Sequence, residues 1–360
     1  MRIGAVPESF FERILLLFGL VPTPILDTQM AYTLARTVML GVQANIFEAL
    51  ASGPLSSEEV SERCGTHHRA TRKLLDALVA ARYLSCRRGG YALTSVPRKW
   101  LLKTSPQSLR DKLLLQFEEW DWVSRYGEFL RTGNPIRIHQ TMSEDGWGVY
   151  QRGMRSLASF WAPEVARRTP IPAGARDLLD IGGAHGYYSV ALCRRHPAVR
   201  ATILDLPQAV VHARKILDAE EMDGRITLRA GNALSDELGI ESWDVVFAAQ
   251  LVHHFDEKNN RDLVTRVARS LRPGGFFVVQ EMIRPSSPGR DSRDRAGALL
   301  DFYFAATSDA GTWSIEEIAG WQREAGLVPR KPQWLRCSPG AAQQVGVKPA
   351  QREGRLNGRS

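Results

Sequence analysis

The sequence is poor in cysteine, with four in 360 residues: Cys64, Cys86, Cys193 and Cys337. None of them pairs with another at the C-x-x-C spacing of zinc and redox sites, and no metal-ligand spacing is present. Free thiols in a reducing compartment are the simplest interpretation. We therefore expect a cytoplasmic protein with neither a disulfide framework nor a metal site.

Long hydrophobic runs are also missing. The longest, residues 14–22, is far shorter than the ~20 residues that a membrane-spanning helix needs. Glu8 and Glu12 precede this run and no small-residue cleavage site follows it, which favours an amphipathic helix over a signal peptide. We expect no membrane partner.

Acidic residues are outnumbered by basic ones, and the formal net charge is +8. Residues 331–360 contribute +5 of this charge, so the first 330 residues carry only +3. The segment 338–360 is rich in Gly, Gln and Pro and predicts a disordered basic tail. Because the charge is concentrated there, it does not indicate a nucleic-acid partner.

The first ~100 residues have the pattern of helices followed by a short hairpin. Apolar residues recur at helical spacing through residues 30–50. Ser56 and Glu59 form a capping-box pattern, and the helix they begin is expected to end at Gly65. A third helix is predicted at 69–82, followed by two strands around a Gly-Gly turn at 89–90. This order predicts a winged-helix domain over residues 1–110.

Further helices are predicted as a connector over residues 111–175, after which strands and helices alternate. Buried strands are predicted at residues 177–181, 200–205, 225–229, 243–249 and 275–281. Such alternation gives a parallel sheet with helices on both faces, and ligands bind beyond the carboxyl ends of its strands. The fold class is therefore α/β, with a Rossmann-like domain at residues 176–337.

The loop after the first of these strands has the pattern D-x-G-x-A-x-G, beginning at Asp180 with Gly182, Ala184 and Gly186. It differs from the G-x-G-x-x-G fingerprint of dinucleotide sites and is typical of an S-adenosylmethionine site. Asp205 ends the next strand, and its two carboxylate oxygens can accept hydrogen bonds from two ribose hydroxyls. A tight strand-to-helix turn without a ligand is the alternative for the loop alone.

Several further segments follow in a fixed order: NIFEAL at 45–50, DIGGAHG at 180–186, LDLPQAV at 204–210, AGNAL at 230–234, LVHHFDE at 251–257 and LRPGGFFVVQE at 271–281. Together they resemble the family 2 S-adenosylmethionine-dependent O-methyltransferases of plant phenylpropanoid and bacterial natural-product pathways. The resemblance covers residues ~30 to ~335. It implies a class I methyltransferase sheet with a reversed last strand, preceded by a dimerisation domain that forms a homodimer.

The resemblance also implies the cofactor-binding residues, which are Asp180, Gly182, Asp205, Leu206, Asn232, Ala233 and Gln250. Two positions depart from the family pattern. Ala184 replaces the usual middle glycine of the loop, and Asn232 replaces the acid that faces the adenine.

Catalysis is assigned to His253, which matches the family's general base, and Glu281, which matches the carboxylate that orients it. A neutral phenol is a poor nucleophile, and a positioned imidazole can take its proton as the new bond forms. His254 stands where plant members have Asp and is interpreted as structural. Thr312 takes the place of a second carboxylate that the family usually offers to the histidine, which weakens the O-methyl assignment.

The acceptor is expected to be a flat, mostly apolar hydroxyl compound, phenolic or otherwise aromatic or polyketide. We assign its pocket to Met154, Phe160, Trp161, Phe302 and Tyr303, because Met and aromatic side chains suit such a molecule. The other histidines, including His139 and His185, are interpreted as surface or loop residues.

Three alternatives stay open. A C- or N-methyltransferase of the same fold would work by proximity and would not need His253. A cofactor-binding protein without transfer chemistry would fit the departures at Ala184, Asn232 and Thr312. A DNA-binding regulator would use the basic residues that begin the third helix of the winged-helix domain, from His67 to Lys73.

Overall fold

The structure is a computed structural model that describes residues 6–222, 224–285 and 292–350, of which residues 292–296 are described by their backbone alone. The chain divides into two compact units, Met1–Glu119 and Trp120–Ser360. The division falls inside a helix, Arg110–Ser124. The segment 351–360 of the predicted disordered tail lies outside the described residues.

The first unit contains the helices and the hairpin that the pattern predicts. Its elements are α1 (Phe10–Leu17), α2 (Thr23–Ile25), a π turn (Leu26–Met30), α3 (Ala31–Gln43), α4 (Ile46–Ala49), α5 (Ser57–Cys64), α6 (His68–Ala80), β1 (Leu84–Arg87), β2 (Gly90–Leu93), α7 (Ser95–Trp100) and most of α8 (Arg110–Ser124).

The local signals in this unit act as the sequence indicates, with one exception. Ser56 and Glu59 form the capping box of α5, and Gly65 ends that helix in the left-handed region at φ 62°. The predicted helix over residues 30–50 is instead broken between α3 and α4, where Asn45 adopts φ 56°. Asn enters the left-handed region more readily than most residues, and the break turns Ile46 and Phe47 into the core.

The second unit carries the sheet. Its elements are α9 (Tyr126–Thr132), α10 (Ile138–Thr141), α11 (Glu144–Arg168), β3 (Asp177–Ile181), α12 (Tyr187–Arg195), β4 (Arg200–Asp205), α13 (Pro207–Asp218), β5 (Ile226–Ala230), β6 (Trp243–Ala249), a short 3-10 helix (Val252–His254), α14 (Glu257–Ser270), β7 (Leu271–Met282), α15 (Ser292–Thr307), α16 (Ile315–Glu324), β8 (Val328–Pro329), β9 (Gln333–Trp334) and β10 (Ala341–Val347).

The sheet confirms the predicted class. Its strand order is β5-β4-β3-β6-β7-β10-β8, with β9 pairing β10. Strands β3 to β7 pair in parallel, whereas β10 runs antiparallel to β7, which is the reversed last strand. Apolar clusters cover both faces of this sheet, one around Val190 and Val278 and the other around Val246 and Val264.

The prediction of disorder from residue 338 is wrong for residues 341–347. These residues form β10, in which every residue from Ala341 to Gly346 is buried. The side-chain amide nitrogens of its glutamines have partners inside the protein: Gln343 Nε2 donates to Thr169 Oγ1 at 2.8 Å, and Gln344 Nε2 donates to the carbonyl of Arg330 at 3.0 Å. A Gln-rich strand can be buried when such partners exist, and the composition of the segment does not reveal them.

None of the described helices combines the length and the apolar character of a membrane span.

Candidate functional site

The glycine-rich loop joins β3 to α12 through backbone conformations that side chains disfavour. Gly182 has φ 65° and Gly186 has φ 72°. A Cβ atom at Gly182 would lie 2.6 Å from Leu251 Cδ1, and one at Gly183 would lie 2.7 Å from the Asp180 carboxyl carbon. The loop therefore has no room for side chains on its protein side, which explains the glycines without invoking a ligand.

Ala184 lies in the same loop with φ 47°. Its backbone N–H donates to Asp205 Oδ2 at 2.7 Å, while Oδ1 of the same carboxylate accepts from the Leu206 N–H at 2.7 Å. An alanine in the left-handed region costs roughly 1–2 kcal/mol. The strand-end acid thus fixes the loop, and each of its oxygens keeps a further lone pair for a ligand.

Asp180, at the end of β3, lies beneath this loop rather than on its outer face. The carboxyl group is buried, Oδ2 accepts from Ser189 Oγ at 2.6 Å, and Oδ1 has no hydrogen-bond partner among the described residues. Burial raises the pKa of Asp180 to about 7. Burial likewise raises the pKa of Asp205 to about 6, against the opposing effect of its two backbone hydrogen bonds.

The remaining predicted cofactor residues lie at the carboxyl ends of β4, β5 and β6. Leu206 and Ala233 are half-buried. Asn232 is exposed, and its Oδ1 already accepts from the Leu234 N–H at 2.9 Å. Gln250 adopts φ 53°, and its Nε2 is buried without a partner among the described residues.

These residues fit S-adenosylmethionine. The Asp205 carboxylate supplies acceptors for ribose hydroxyls, and the Gln250 amide is a buried donor that lacks an acceptor among the described residues. Such a buried donor is costly unless a ligand satisfies it.

His253 and Glu281 meet as the sequence predicts. His253 lies on the short 3-10 helix after β6, and Glu281 lies near the end of β7, the adjacent strand. The distance from His253 Nδ1 to Glu281 Oε2 is 3.0 Å, and both side chains are almost fully buried. Glu281 Oε1 also accepts from the Val252 N–H at 3.0 Å, so the carboxylate is held by the backbone of the same turn.

The His253 ring belongs to a row of aromatic rings. It stacks on Phe304 with ring centroids 3.8 Å apart, and it also contacts His254 with centroids 4.0 Å apart. His254 in turn meets His139 edge to face at 4.5 Å. His139 also contacts Trp147 and Tyr150 of α11.

His139 and His254 are kept uncharged by their surroundings. Burial, reinforced by the charge that His253 can carry, lowers the pKa of His139 to about 4. Burial lowers the pKa of His254 well below its ordinary value, with further contributions from His253 and His139. The described residues contain no group of three or more His, Cys, Asp or Glu side chains arranged to hold a metal ion.

The interpretation of His139 as a surface or loop residue needs correction, and that of His185 as a loop residue needs a more specific description. His139, assigned to the surface, packs into this ring row from α10. His185, though in the glycine loop, is buried, and its Nδ1 accepts from the Tyr187 N–H at 3.0 Å. Burial lowers the pKa of His185 to about 3. No local pattern marks His139, because the rings that it contacts, including His254, are distant from it in sequence.

Thr312 does not offer a carboxylate to His253, but it is tied to one. Its N–H and Oγ1 both donate to Asp301 Oδ1, at 2.7 and 2.8 Å. The neighbouring Gly311 N–H donates to the carbonyl of His253 at 3.3 Å. Asp301 of α15 therefore fixes the segment that supports the histidine backbone, while Glu281 is the carboxylate at the ring.

The predicted acceptor residues are in different environments. Trp161 packs against an apolar core cluster of the sheet, and Met154 is half-buried. Phe160 is 36% exposed. Phe302 is 41% exposed and contacts Tyr126 at 4.9 Å, and Tyr303 contacts Phe304 at 5.3 Å. The sequence prediction placed the segment 299–307 at the pocket without singling out Phe304, which contacts His253, and it missed His139, which contacts His254.

Comparison with known proteins identifies the two parts of the chain. Residues 121–327, more than half of the chain, match the O-methyltransferase domain model, and residues 26–103 match the O-methyltransferase dimerisation domain model. The second match supports a homodimer.

Curated relatives span almost the full length. The chain is 27% identical over 340 residues to the 3-hydroxy-5-methyl-1-naphthoate 3-O-methyltransferase of Streptomyces sahachiroi, covering 91% of this chain and 95% of that protein. It is 25% identical over 336 residues to an N,N-dimethyltransferase of Streptomyces rimosus, covering 90% and 96%.

Among solved structures, human N-acetylserotonin methyltransferase in complex with S-adenosylmethionine superposes with a TM-score of 0.78 at 17% identity, covering 96% of this chain and all of that one. This likeness shows the shared fold. Together with the match of the domain model over the sheet and its site, it leads to one conclusion: the chain belongs to the O-methyltransferase family and is an enzyme whose cofactor is S-adenosylmethionine.

Proposed function

We propose that this enzyme methylates a hydroxyl group on an aromatic small-molecule natural product, with His253 as the general base. The observation that carries the proposal is the buried pair of His253 Nδ1 and Glu281 Oε2 at 3.0 Å. An ionised carboxylate only accepts hydrogen bonds, so the proton of the neutral ring lies on Nδ1. Nε2 then carries the lone pair that a general base needs.

The other nitrogen of this ring, Nε2, is the atom that would face the acceptor, on a side chain that is 3% exposed. No described residue forms a hydrogen bond to His253 Nε2. The hydroxyl proton of the acceptor passes to Nε2 while the hydroxyl oxygen forms its bond to the methyl carbon. Glu281 stabilises the imidazolium that results, because it lies against the opposite nitrogen.

The other proposed residues bind and orient the two reactants. When bound, S-adenosylmethionine supplies a methyl group from its sulfonium, and the electrons of the broken carbon–sulfur bond stay on sulfur. Asp205 would accept from the ribose, and Gln250 Nε2 would find an acceptor on the ligand. Asp180 would act from beneath the loop by holding its shape.

For the acceptor side, we propose an aromatic molecule that contacts the row of rings around His253. Phe304 and His139 border that row, and Met154, Phe160, Trp161, Phe302 and Tyr303 remain proposed contacts. The naphthoate substrate named for the Streptomyces sahachiroi relative is an aromatic of this kind. We further propose that the homodimer forms through the N-terminal domain and that the enzyme works in the cytoplasm.

The test is methyl transfer from labelled S-adenosylmethionine to phenols, hydroxyindoles and polyketide aromatics. His253→Ala should lower kcat by roughly 10²–10⁴, the usual contribution of a general base, with cofactor affinity unchanged. The matched control is His67→Asn, which changes an exposed histidine of the first unit.

Two results would contradict the proposal. Undiminished transfer by His253→Ala would favour C- or N-methylation by proximity, to which the N,N-dimethyltransferase relative lends weight. Cofactor binding without transfer to any acceptor would favour a binding protein. Product analysis distinguishes O-methyl from C- and N-methyl products directly.

A further inference from the structure

His254 has a hydrogen-bonding partner that gives it chemistry of its own. Its Nδ1 lies 2.7 Å from Ser308 Oγ, and Ser308 is buried at the end of α15. Among the described residues, the Ser308 hydroxyl has no other acceptor. A buried hydroxyl proton without an acceptor costs free energy, so the arrangement in which Ser308 Oγ donates to Nδ1 is favoured.

This fixes the tautomer of His254. If Nδ1 accepts from Ser308, the proton of the neutral ring lies on Nε2, and Nε2–H becomes a donor. In His253 the carboxylate of Glu281 fixes the opposite tautomer, in which Nε2 is an acceptor. Two successive imidazoles, with ring centroids 4.0 Å apart, therefore present one acceptor and one donor.

Each ring has a second nitrogen, Nε2, besides the one that Glu281 or Ser308 contacts. No described residue forms a hydrogen bond to His254 Nε2. His139 packs edge to face on His254 at 4.5 Å and restricts its rotation. The low pKa of His254 keeps the ring neutral near pH 7, as a fixed tautomer requires.

We propose that His254, whose tautomer Ser308 fixes, donates a hydrogen bond to an acceptor oxygen beside the reacting hydroxyl. The enzyme then prefers aromatic acceptors whose hydroxyl neighbours a carbonyl. In such molecules the hydroxyl proton is tied to the carbonyl oxygen by an internal hydrogen bond of ~2.6 Å. His254 Nε2–H donates to the carbonyl oxygen in place of the hydroxyl, and His253 Nε2 receives the hydroxyl proton. His254 and Ser308 are thus specificity and positioning residues that act beside the base.

This inference rests on the proposed function, and binding measurements separate the two. The probes are 2-acetyl-1-naphthol, whose carbonyl is beside the hydroxyl, and 4-acetyl-1-naphthol, whose carbonyl is remote. Their affinities are measured calorimetrically for the protein loaded with S-adenosylhomocysteine. The readout is the ratio of the two dissociation constants, which a general loss of packing would not change selectively.

The wild type should prefer the 2-acetyl isomer. The preference should fall by roughly three- to tenfold in His254→Phe, which corresponds to the loss of one neutral hydrogen bond. Ser308→Ala should lower it as well, because the ring keeps its place but not its tautomer. Ser308→Thr, which retains the hydroxyl, should restore the preference, and the exposed His67→Asn should leave it at the wild-type value.

An unchanged ratio in His254→Phe and Ser308→Ala, or no binding of the 2-acetyl isomer to the wild type, would overturn the inference. Binding with the expected ratios but without methyl transfer to any phenol would instead overturn the proposed function and leave the subsite supported. Retained affinity for S-adenosylhomocysteine verifies that each variant is folded.

Discussion

Replacing Glu281 by Gln tests how the general base is held in its reactive form. The Glu281 carboxylate accepts from two donors, His253 Nδ1–H at 3.0 Å and the Val252 N–H at 3.0 Å. Gln has one oxygen and one NH₂ group. When its oxygen stays on the Val252 N–H, its NH₂ replaces Oε2 at 3.0 Å from His253 Nδ1. This contact between two donors disfavours a proton on Nδ1, although the oxygen still lies 3.2 Å from that nitrogen. The proton moves to Nε2, and the base is lost.

The expected loss can be set from the chemistry. A wrong histidine tautomer costs about 10⁴ in the serine protease triad, and general-base catalysis as a whole contributes 10²–10⁴. We therefore expect kcat of Glu281→Gln to fall by roughly 10²–10⁴. Affinity for S-adenosylhomocysteine should change by less than about threefold, since the substitution is isosteric and its one backbone hydrogen bond is kept.

The assay is methyl transfer at saturating cofactor for Glu281→Gln, His253→Ala and the double variant. Because Glu281 acts through His253, the double variant should be no slower than His253→Ala alone. Additive losses would refute this reasoning, since they would mean that Glu281 affects transfer independently of the ring. A kcat of Glu281→Gln within threefold of the wild type would refute it as well.

Three further predictions concern the cofactor loop. Ala184→Gly should raise the free energy of unfolding by about 0.5–1 kcal/mol in urea titrations, because φ 47° suits glycine better; a lower stability would contradict this. Gly183→Ala should abolish measurable S-adenosylhomocysteine binding, since its Cβ would lie 2.7 Å from the Asp180 carboxyl carbon and 2.8 Å from Ile203 Cγ2; wild-type affinity would show that the loop adapts. Burial raises the pKa of Asp205 from 3.8 to about 6, so between pH 4 and 6 the folded state holds a proton that the unfolded chain has lost, and stability falls as pH rises through this window. Asp205→Asn should remove the contribution of Asp205 to that slope and leave the contribution of Asp180, whose pKa is also raised, to about 7. In the wild type, S-adenosylhomocysteine affinity should fall as pH drops from 7 to 5; a pH-independent affinity would argue against ribose binding by this carboxylate.

Asp301 shows how a departure from the expected pattern can be compensated. The sequence suggested that His253 loses a second carboxylate partner because Thr312 takes its place. In the structure, Thr312 is a double donor to Asp301 and fixes the segment whose Gly311 N–H reaches the His253 carbonyl. The substitution therefore leaves this part of the site ordered, and Glu281 is the carboxylate that hydrogen-bonds the ring of the base.

The row of rings could not be predicted from the sequence for a different reason. His253 and His254 are adjacent in the chain, but His139 belongs to α10 and Phe304 and Ser308 to the region of α15. No spacing rule connects these elements. Their contacts depend on how the helices beyond the carboxyl ends of the strands pack.

The sequence by itself determined the features that local chemistry controls. Strands at 177–181, 200–205 and 243–249 have the predicted bounds because each is a short apolar run ended by a polar or small residue. The glycine loop follows from backbone conformations that glycine adopts readily, and the capping box of α5 follows from side chains that can bond the first turn of a helix. The order of the motifs was sufficient to recognise the family.

Only the tertiary structure decided which polar residues would be buried with partners. It placed β10 in the sheet, where the amide nitrogens of the buried Gln343 and Gln344 find hydrogen-bond acceptors. It brought Ser308 to His254, which decides the tautomer of that ring. The physical reason is the same in both cases: burying a polar group is favourable only when a distant residue satisfies it, and that residue is specified by the fold and not by its neighbours in sequence.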